Sequence, residues 1–214
     1  RERFAAPLDV HQGRTAPPGV GSGRGGRAND GQTNSGQTNS GQMAKRIGFL
    51  LNPIAGMGGR VGLKGTDGVL AEALRRGARP VAADRAGRAL SRLRRLIAEA
   101  GTPDGIHWLT AGGAMGEDAL RAAGFTDIET VCDPPPDSAA ADTIEAARRL
   151  VAAPVDLILF CGGDGTARDI CDVAGTAVPI LGIPSGVKMF SGVFATTPDH
   201  AADILQDWTG GALA

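Results

Sequence analysis

The fold of this chain is decided by a stretch in which an apolar run ends in a glycine-rich turn, Val155-Asp-Leu-Ile-Leu-Phe-Cys-Gly-Gly-Asp-Gly-Thr166. The run has the length and the composition of a buried parallel strand, and a helical pattern begins near Ala167. Glycines at the carboxyl end of such a strand let a phosphate approach backbone N–H groups without a side chain in the way. The stretch therefore predicts a strand, a ligand-binding loop and a helix of an α/β sheet.

Runs of the same kind recur along the chain and alternate with helical patterns. The apolar runs lie at 46–52, 106–110, 128–131, 155–161 and 178–183. The helical patterns lie at 85–100, 137–152, 167–174 and 198–208. This alternation predicts a parallel sheet with helices on both faces, a three-layer α/β fold of the Rossmann-like or flavodoxin-like kind.

Two further expectations concern these helices. Asp137 is expected to cap the helix that ends near Ala152, because the three prolines before it block extension of the helix backwards. The arginines of the 85–100 helix are expected to form a solvated face rather than a binding patch. They are Arg85, Arg88, Arg92 and Arg95.

The composition excludes several classes of protein. A formal net charge of −1 argues against an electrostatic nucleic-acid binder, which needs a basic face. The 3 cysteines include no C-x-x-C pair, which favours reduced thiols over a disulfide framework or a zinc site. No apolar run approaches the roughly 20 residues that span a bilayer. We therefore expect a cytoplasmic protein with neither a nucleic-acid nor a membrane partner.

The loop at 162–166 has the chemistry of a phosphoryl-transfer site. Gly162, Gly163 and Gly165 could offer backbone N–H groups to a nucleotide phosphate, and Thr166 could offer a hydroxyl. Asp164 could accept the proton of an attacking hydroxyl, orient that hydroxyl or help to hold Mg²⁺. The alternative is a tight turn in which Asp164 merely caps the next helix.

A second glycine-rich loop follows the first predicted strand. Asn52-Pro53 precedes glycines at 56, 58, 59, 62 and 65. Such a loop can wrap phosphates, and the Asn side chain offers both a donor and an acceptor. The spacing of a Walker A loop is absent, and a surface loop without a ligand is the alternative. The nucleotide-binding candidates of this loop are Asn52, Gly56, Gly58 and Gly59, with Lys64 as a plausible phosphate contact.

Two more segments that each follow a predicted strand are candidates for nucleotide binding. Ser185, Gly186 and Lys188 follow the last predicted strand, and Lys188 could neutralise phosphate charge. The loop 110–118 could close one side of a nucleotide pocket, although its acidic end equally suits a helix N-terminus without a ligand. The bulky apolar residues that follow Lys188 are expected in the core. They are Met189, Phe190, Val193 and Phe194.

Three blocks, in this order along the chain, carry a family resemblance. Gly162-Gly-Asp-Gly-Thr166 resembles the signature of the NAD kinase and diacylglycerol kinase superfamily. Residues 47–68 resemble the first strand and glycine-rich loop of its ATP-NAD kinase branch, which includes the AcoX-like proteins. Residues 182–198 are similar to the segment after the signature loop in that branch, so the resemblance covers roughly residues 44–208.

The resemblance implies a kinase that uses ATP, or polyphosphate, with Mg²⁺ to phosphorylate the adenosine ribose 2′-hydroxyl of NAD. It implies that Asp164 is the base, that Ser185, Gly186 and Lys188 line the nucleotide or acceptor site, and that the protein is a homo-oligomer. Two alternatives stay open. The acceptor could be a lipid, a sphingoid base or another small alcohol, because lipid kinases share the Asn-Pro and signature motifs. The protein could also be a non-catalytic nucleotide-binding accessory protein, as in the AcoX group.

The resemblance also divides the chain. Residues 43–214 correspond to an α/β nucleotide-binding domain, which members of the superfamily follow with a β-rich domain. We therefore expect that second domain to be missing here, so that this chain alone could be inactive. Residues 1–42 repeat Gly-Gln-Thr-Asn-Ser at 31–35 and 36–40, and their composition predicts disorder. Met43 as the true start is favoured over a flexible arm.

Overall fold

A computed structural model describes residues 44–57, 61–62, 72, 75–101, 105–186 and 189–213. Within these residues five strands form one parallel sheet in the order β3-β2-β1-β4-β5. The α/β fold and the five predicted strands are confirmed, while the disorder predicted for 1–42 concerns residues outside the described ranges. The strands are β1 (Lys45–Leu51), β2 (Ile106–Ala111), β3 (Ile128–Cys132), β4 (Leu157–Gly162) and β5 (Ile180–Pro184).

Helices cover both faces of the sheet, as predicted. On one face α1 packs against α2 and α5, and on the other face α3 packs against α4. The helices are α1 (Ala82–Ala100), α2 (Glu117–Ala122), α3 (Ala140–Ala152), α4 (Asp164–Ala174) and α5 (Pro198–Thr209).

Strand β4 shows why the sequence pattern of this fold is continuous rather than alternating. Leu157, Leu159 and Cys161 join the core cluster beneath α1 and α5. Ile158 and Phe160 point to the opposite face and join the cluster beneath α3 and α4. Because successive side chains alternate between two covered faces, every residue of β4 is buried.

The order of the strands reverses between β1 and β4. The chain runs outward from β1 through β2 to β3 and then returns to β4 on the other side of β1. Leu51 pairs with Cys161 in the register of these two strands, and the N–H of Asn52 donates to the carbonyl of Cys161 over 3.0 Å. In open α/β sheets ligands bind at such a reversal, beside the carboxyl ends of the strands.

The predicted cap of α3 is wrong. The helix begins at Ala140 with Ala139 at the N-cap position, so Asp137 lies two residues too early. Asp142, the third residue of the helix, reaches back and accepts a hydrogen bond from the N–H of Ala139 over 2.7 Å. This is the reciprocal half of a capping box and replaces the expected cap.

The arginines of α1 are more than a solvated face. Arg88 donates from Nε to Asp199 of α5 over 3.0 Å, and Arg92 donates from Nε to Asp203 over 2.8 Å. These contacts join α1 to α5, and both arginines keep exposed surface, 62% of the Arg88 side chain and 34% of that of Arg92. The partners lie 111 residues apart along the chain, which sequence periodicity does not reveal.

Candidate functional site

The loop between β4 and α4 places Asp164 at the first position of a helix. Gly163 is the N-cap residue, and no side chain caps the helix. The helix therefore begins one turn earlier than its apolar pattern indicates. Asp164 is not the N-cap residue, so the capping alternative is wrong.

The carboxylate of Asp164 instead contacts a segment that follows β5. The N–H of Phe190 donates to it over 3.0 and 3.2 Å, and the N–H of Ser191 donates over 3.1 Å. Burial raises the pKa of the Asp164 carboxyl, but the bonds from Ser191 and Phe190 outweigh burial and hold that pKa below its ordinary value. Asp164 is thus an ionised anchor for the 189–191 turn.

Asn52 and Thr166, two predicted nucleotide-binding residues, contact each other. Asn52 donates from Nδ2 to the Thr166 hydroxyl over 3.0 Å, and its Oδ1 accepts from the N–H of Ile54 over 3.2 Å. Thr166 is buried. The contact braces the loop after β1 against the loop after β4.

Gly56 and Ser185 bring the first and third sequence blocks together. Gly56 has a φ of +78°, and a Cβ added there would lie 2.2 Å from the carbonyl oxygen of Ser185. The N–H of Ser185 donates to the carbonyl of Gly162 over 3.1 Å. All three blocks therefore meet at the carboxyl ends of β1, β4 and β5.

The glycines of this site are not all required for the same reason. A Cβ at Gly162 would lie 2.5 Å from the Cβ of Thr166, and one at Gly186 would lie 2.8 Å from the Sδ of Met189. A Cβ at Gly163 would meet none of the described residues within 4 Å, and its φ of −108° suits any residue. Neither backbone conformation nor packing against the described residues explains why Gly163 is glycine.

The Ser185 hydroxyl is an orphaned buried group. The residue is 4% exposed, and its Oγ has no hydrogen-bond partner among the described residues. A buried polar atom without a partner is costly. Among the described residues, the hydrogen-bonding capacity of this hydroxyl is unused.

A cleft of about 700 Å³ adjoins the loop after β1, the first of the three blocks, and none of its described lining residues belongs to the other two blocks. It lies between the loop after β1, the first half of α1, helix α2 and the turn at 136–138. Its lining is mostly apolar and holds three carboxylates but no basic side chain among the described residues. The acidic residues are Asp84, Asp118 and Asp137.

Sequence reasoning found this cleft only in part. The predicted loop 110–118 contributes Ala114 and Asp118 to its lining. Glu117 instead accepts from the N–H of Gly113 over 3.3 Å, and Arg121, four residues on, holds its pKa below the ordinary value. The first block contributes residues between 51 and 57, and most of the remaining lining consists of scattered small residues and prolines, which give no signal in a sequence.

Phe190 corrects the expectation for the residues after Lys188. It is 85% exposed, because the 189–191 turn that Asp164 holds leaves its ring outside the core. Phe194 behaves as predicted and packs against Phe160 with ring centroids 5.3 Å apart. The site thus has a large apolar side chain exposed next to its carboxylate.

Several predicted positions lie outside the described residues. They are Gly58, Gly59, Lys64, Gly65 and Lys188. Gly165, the second residue of α4, is described and lies next to Asp164.

Cys161, which precedes the glycine-rich loop after β4, belongs to the hydrophobic core. Cys161 is fully buried, and burial raises the pKa of its thiol to about 12. Within the described ranges, no group of three or more His, Cys, Asp or Glu could hold a metal ion. None of the described helices has the length and apolar character needed to cross a membrane.

Comparison with known proteins gives one match. A family model described as the ATP-NAD kinase N-terminal domain matches residues 47–212. A search of curated proteins and a search of solved structures found no match.

Proposed function

This chain belongs to the ATP-NAD kinase family, and from that premise we propose that it transfers the γ-phosphoryl group of ATP to the adenosine ribose 2′-hydroxyl of NAD. The observation that supports this most strongly is the meeting of the three blocks where the strand order reverses. Asn52, Asp164 and Ser185 come from three different loops and belong to one site. Polyphosphate is the alternative donor.

The charge of the cleft supports an orientation for the donor. Its three carboxylates and apolar walls disfavour a phosphate and suit the hydroxyls and base of a nucleoside. Gly163, at the uncapped N-terminus of α4, offers the opposite environment, because helix N-termini attract anions. We therefore assign the cleft to the nucleoside of ATP and the space at Gly163 to its phosphates.

In the reaction that we propose, the 2′-oxygen of NAD forms a bond to the γ-phosphorus of ATP. The bond from that phosphorus to the β,γ-bridging oxygen breaks, ADP leaves, and the hydroxyl proton passes to the Asp164 carboxylate. The Gly165 N–H and the Ser185 hydroxyl are the donors that we assign to the phosphates. Asn52 and Thr166 keep two of the loops in register through their mutual hydrogen bond.

The residues present fit a magnesium ion brought by the nucleotide. Kinase sites hold Mg²⁺ through one or two carboxylates and the substrate phosphates, and Asp164 is the carboxylate that the meeting loops provide. The ion would supply charge neutralisation for the phosphates.

The proposal is tested by incubating the full-length gene product with ATP, Mg²⁺ and NAD and measuring NADP by chromatography. We expect NADP and ADP to form in equal amounts, and polyphosphate in place of ATP tests the donor. A folded protein that binds ATP but forms no NADP would contradict the assignment of the acceptor.

The exposed ring of Phe190 favours a second candidate, in which the acceptor is an alcohol with an apolar tail. An acceptor screen with radiolabelled ATP separates the two, because label would appear in a lipid or sphingoid base and not in NADP. Nucleotide binding by calorimetry with transfer to no acceptor would instead identify a non-catalytic accessory protein. A cytoplasmic location and a homo-oligomeric state belong to the same proposal and are measured by cell fractionation and sedimentation.

A further inference from the structure

The segment that follows β5 is tied to the β4–α4 loop at two points. Near its start, the Ser185 N–H donates to the carbonyl of Gly162 over 3.1 Å. Further along, the N–H groups of Phe190 and Ser191 donate to the carboxylate of Asp164. Residues two positions apart in one loop therefore hold both points of the segment.

Resting on the proposed function, we propose that Asp164 is also a positioning residue, whose carboxylate fixes the 189–191 turn, while the carbonyl of Gly162 holds Ser185. Asp164 thus positions a neighbouring turn of the site in addition to accepting the proton in the proposed reaction.

Both oxygens of Asp164 take part in the anchor. Oδ1 accepts from the N–H groups of Phe190 and Ser191, over 3.2 and 3.1 Å. Oδ2 accepts from the N–H of Phe190 over 3.0 Å, and the side chain of Ser191 also bonds to the carboxylate. Phe190 and Ser191 are therefore both held by the same charged group.

An acidic residue that served only the dipole of α4 would need no such contact. A charge at the first helical position is stabilised by the helix N-terminus alone. Asp164 is instead bonded to donors 26 and 27 residues further along the chain. Bonds between a carboxylate and N–H groups are among the stronger hydrogen bonds of proteins, which suits an anchor.

Amide hydrogen exchange tests the anchor directly. In Asp164→Ala, we expect the Phe190 and Ser191 amides to exchange about tenfold faster or more, as for loss of a hydrogen bond to a charged group. Asp164→Asn keeps one carbonyl oxygen and should restore much of the protection at Ser191. Asp172→Ala, an exposed aspartate of the same helix, is the matched control and should leave both amides unchanged.

The amides of Ile158 to Cys161 in β4 are the internal reference for folding. If Asp164→Ala exchanges at the wild-type rate at Phe190 and Ser191 while this reference is intact, the proposal is overturned. If the reference also exchanges faster, Asp164→Asn replaces the variant, because it removes the charge and the oxygen that lies closer to the Phe190 N–H. In that variant, wild-type protection at Phe190 with an intact reference would overturn the proposal.

Kinetics distinguish positioning from a merely structural role. The KM of Asp164→Ala for a substrate should be about tenfold higher than that of Asp164→Asn, because a tenfold change corresponds to the free energy of about one hydrogen bond. The kcat of the two variants should be equally low. Equal KM values would contradict the positioning role. If the wild-type protein forms no NADP at all, the proposed function fails while the exchange measurement still decides the anchor.

Discussion

The loops after β2 and after β4 both place glycines ahead of a helix that begins with an acidic residue, but their acids contact different parts of the molecule. Glu117, after β2, accepts from the N–H of Gly113 and pairs with Arg121 of its own helix. Asp164, after β4, contacts a turn 26 residues further along the chain. The first acid completes its own loop, whereas the second joins two loops.

The glycines of the two loops differ in the same way. Gly116 has a φ of +158°, and a Cβ there would lie 2.0 Å from the Thr110 hydroxyl. Gly163 has an ordinary φ, and none of the described residues would touch a Cβ added there. The comparison teaches that a glycine-rich loop in a sequence can be a packing device or a ligand site. The distinction depends on what would surround a side chain.

The largest expected effect separates the two acids. Asp164→Asn keeps the size of the side chain but removes the proton acceptor, so turnover should fall about 10²–10⁴-fold, the usual contribution of a general base. ATP affinity, measured by calorimetry, should change little. If ATP binding collapses together with turnover, the metal-holding role is the better account of Asp164.

Glu117→Gln is the matched control for that variant, because it neutralises the acid of the other loop. Its turnover should stay near wild type. Near wild-type turnover in Asp164→Asn would make the two acids equivalent and remove the catalytic assignment.

The glycines give the second prediction, which concerns stability. Gly116→Ala forces a methyl group against Thr110 and strains the backbone, so the free energy of unfolding should fall by about 1–3 kcal/mol, as in overpacked cores. Urea unfolding measures the change. Neutral surface substitutions change the free energy of unfolding by up to about 0.5 kcal/mol. A loss smaller than this would contradict the prediction, because it would mean that the loop after β2 accommodates the added methyl group.

Gly163→Ala should affect the KM for ATP more than the stability of the protein, whereas Gly116→Ala should affect mainly stability. The unfolding free energy of Gly163→Ala should fall by about 1 kcal/mol, because alanine is a poorer N-cap residue than glycine. The KM for ATP should rise about tenfold, equivalent to about 1.4 kcal/mol of binding, because the methyl group occupies the space assigned to phosphates. An unchanged KM for ATP would contradict the assignment of the ATP phosphates to the space at Gly163.

The smallest predicted effect concerns His107, which lies near the amino end of β2, whereas both loops follow the carboxyl ends of strands. His107 of β2 contacts Glu129 over 3.1 Å and Asp127 over 2.7 Å. These bonds, with Glu129 the larger contributor, raise the pKa of His107 above its ordinary value of 6.5. Because the protonated form is the stabilised one, its contribution is complete below pH 6.5 and is lost as pH rises through the raised pKa.

Urea unfolding between about pH 6 and about pH 9 measures this dependence, since histidine titrates in that range. His107→Gln should flatten the decline in stability without altering turnover. A wild-type protein whose stability rises over the same range would contradict the assignment.

The strands were predictable from the sequence because each is buried on two faces. In β4 this produces the unbroken run from Leu157 to Cys161, which no amphipathic helix would show. The start of α4 was predicted one turn late. Its first residues include Gly165, a poor helix former, and the apolar pattern becomes visible only from Ala167.

The meeting of the three blocks was also foreseeable, because the carboxyl ends of parallel strands share one edge. The contacts within the site were not. Asn52 and Thr166 were selected as separate ligands of a nucleotide but bond to each other, and Phe190 was expected in the core but is exposed. Both outcomes depend on contacts between distant segments, which local patterns do not encode.

The hydrogen bond between Asn52 and Thr166 spans 114 residues of sequence, and this has a consequence for folding. The central strand β1 cannot pair with β4 until nearly the whole intervening chain has been made, and such long-range pairings are late and slow. The site therefore forms only in molecules whose sheet is complete. A ligand that bound only this assembled site would shift the folding equilibrium of the whole sheet towards the native state.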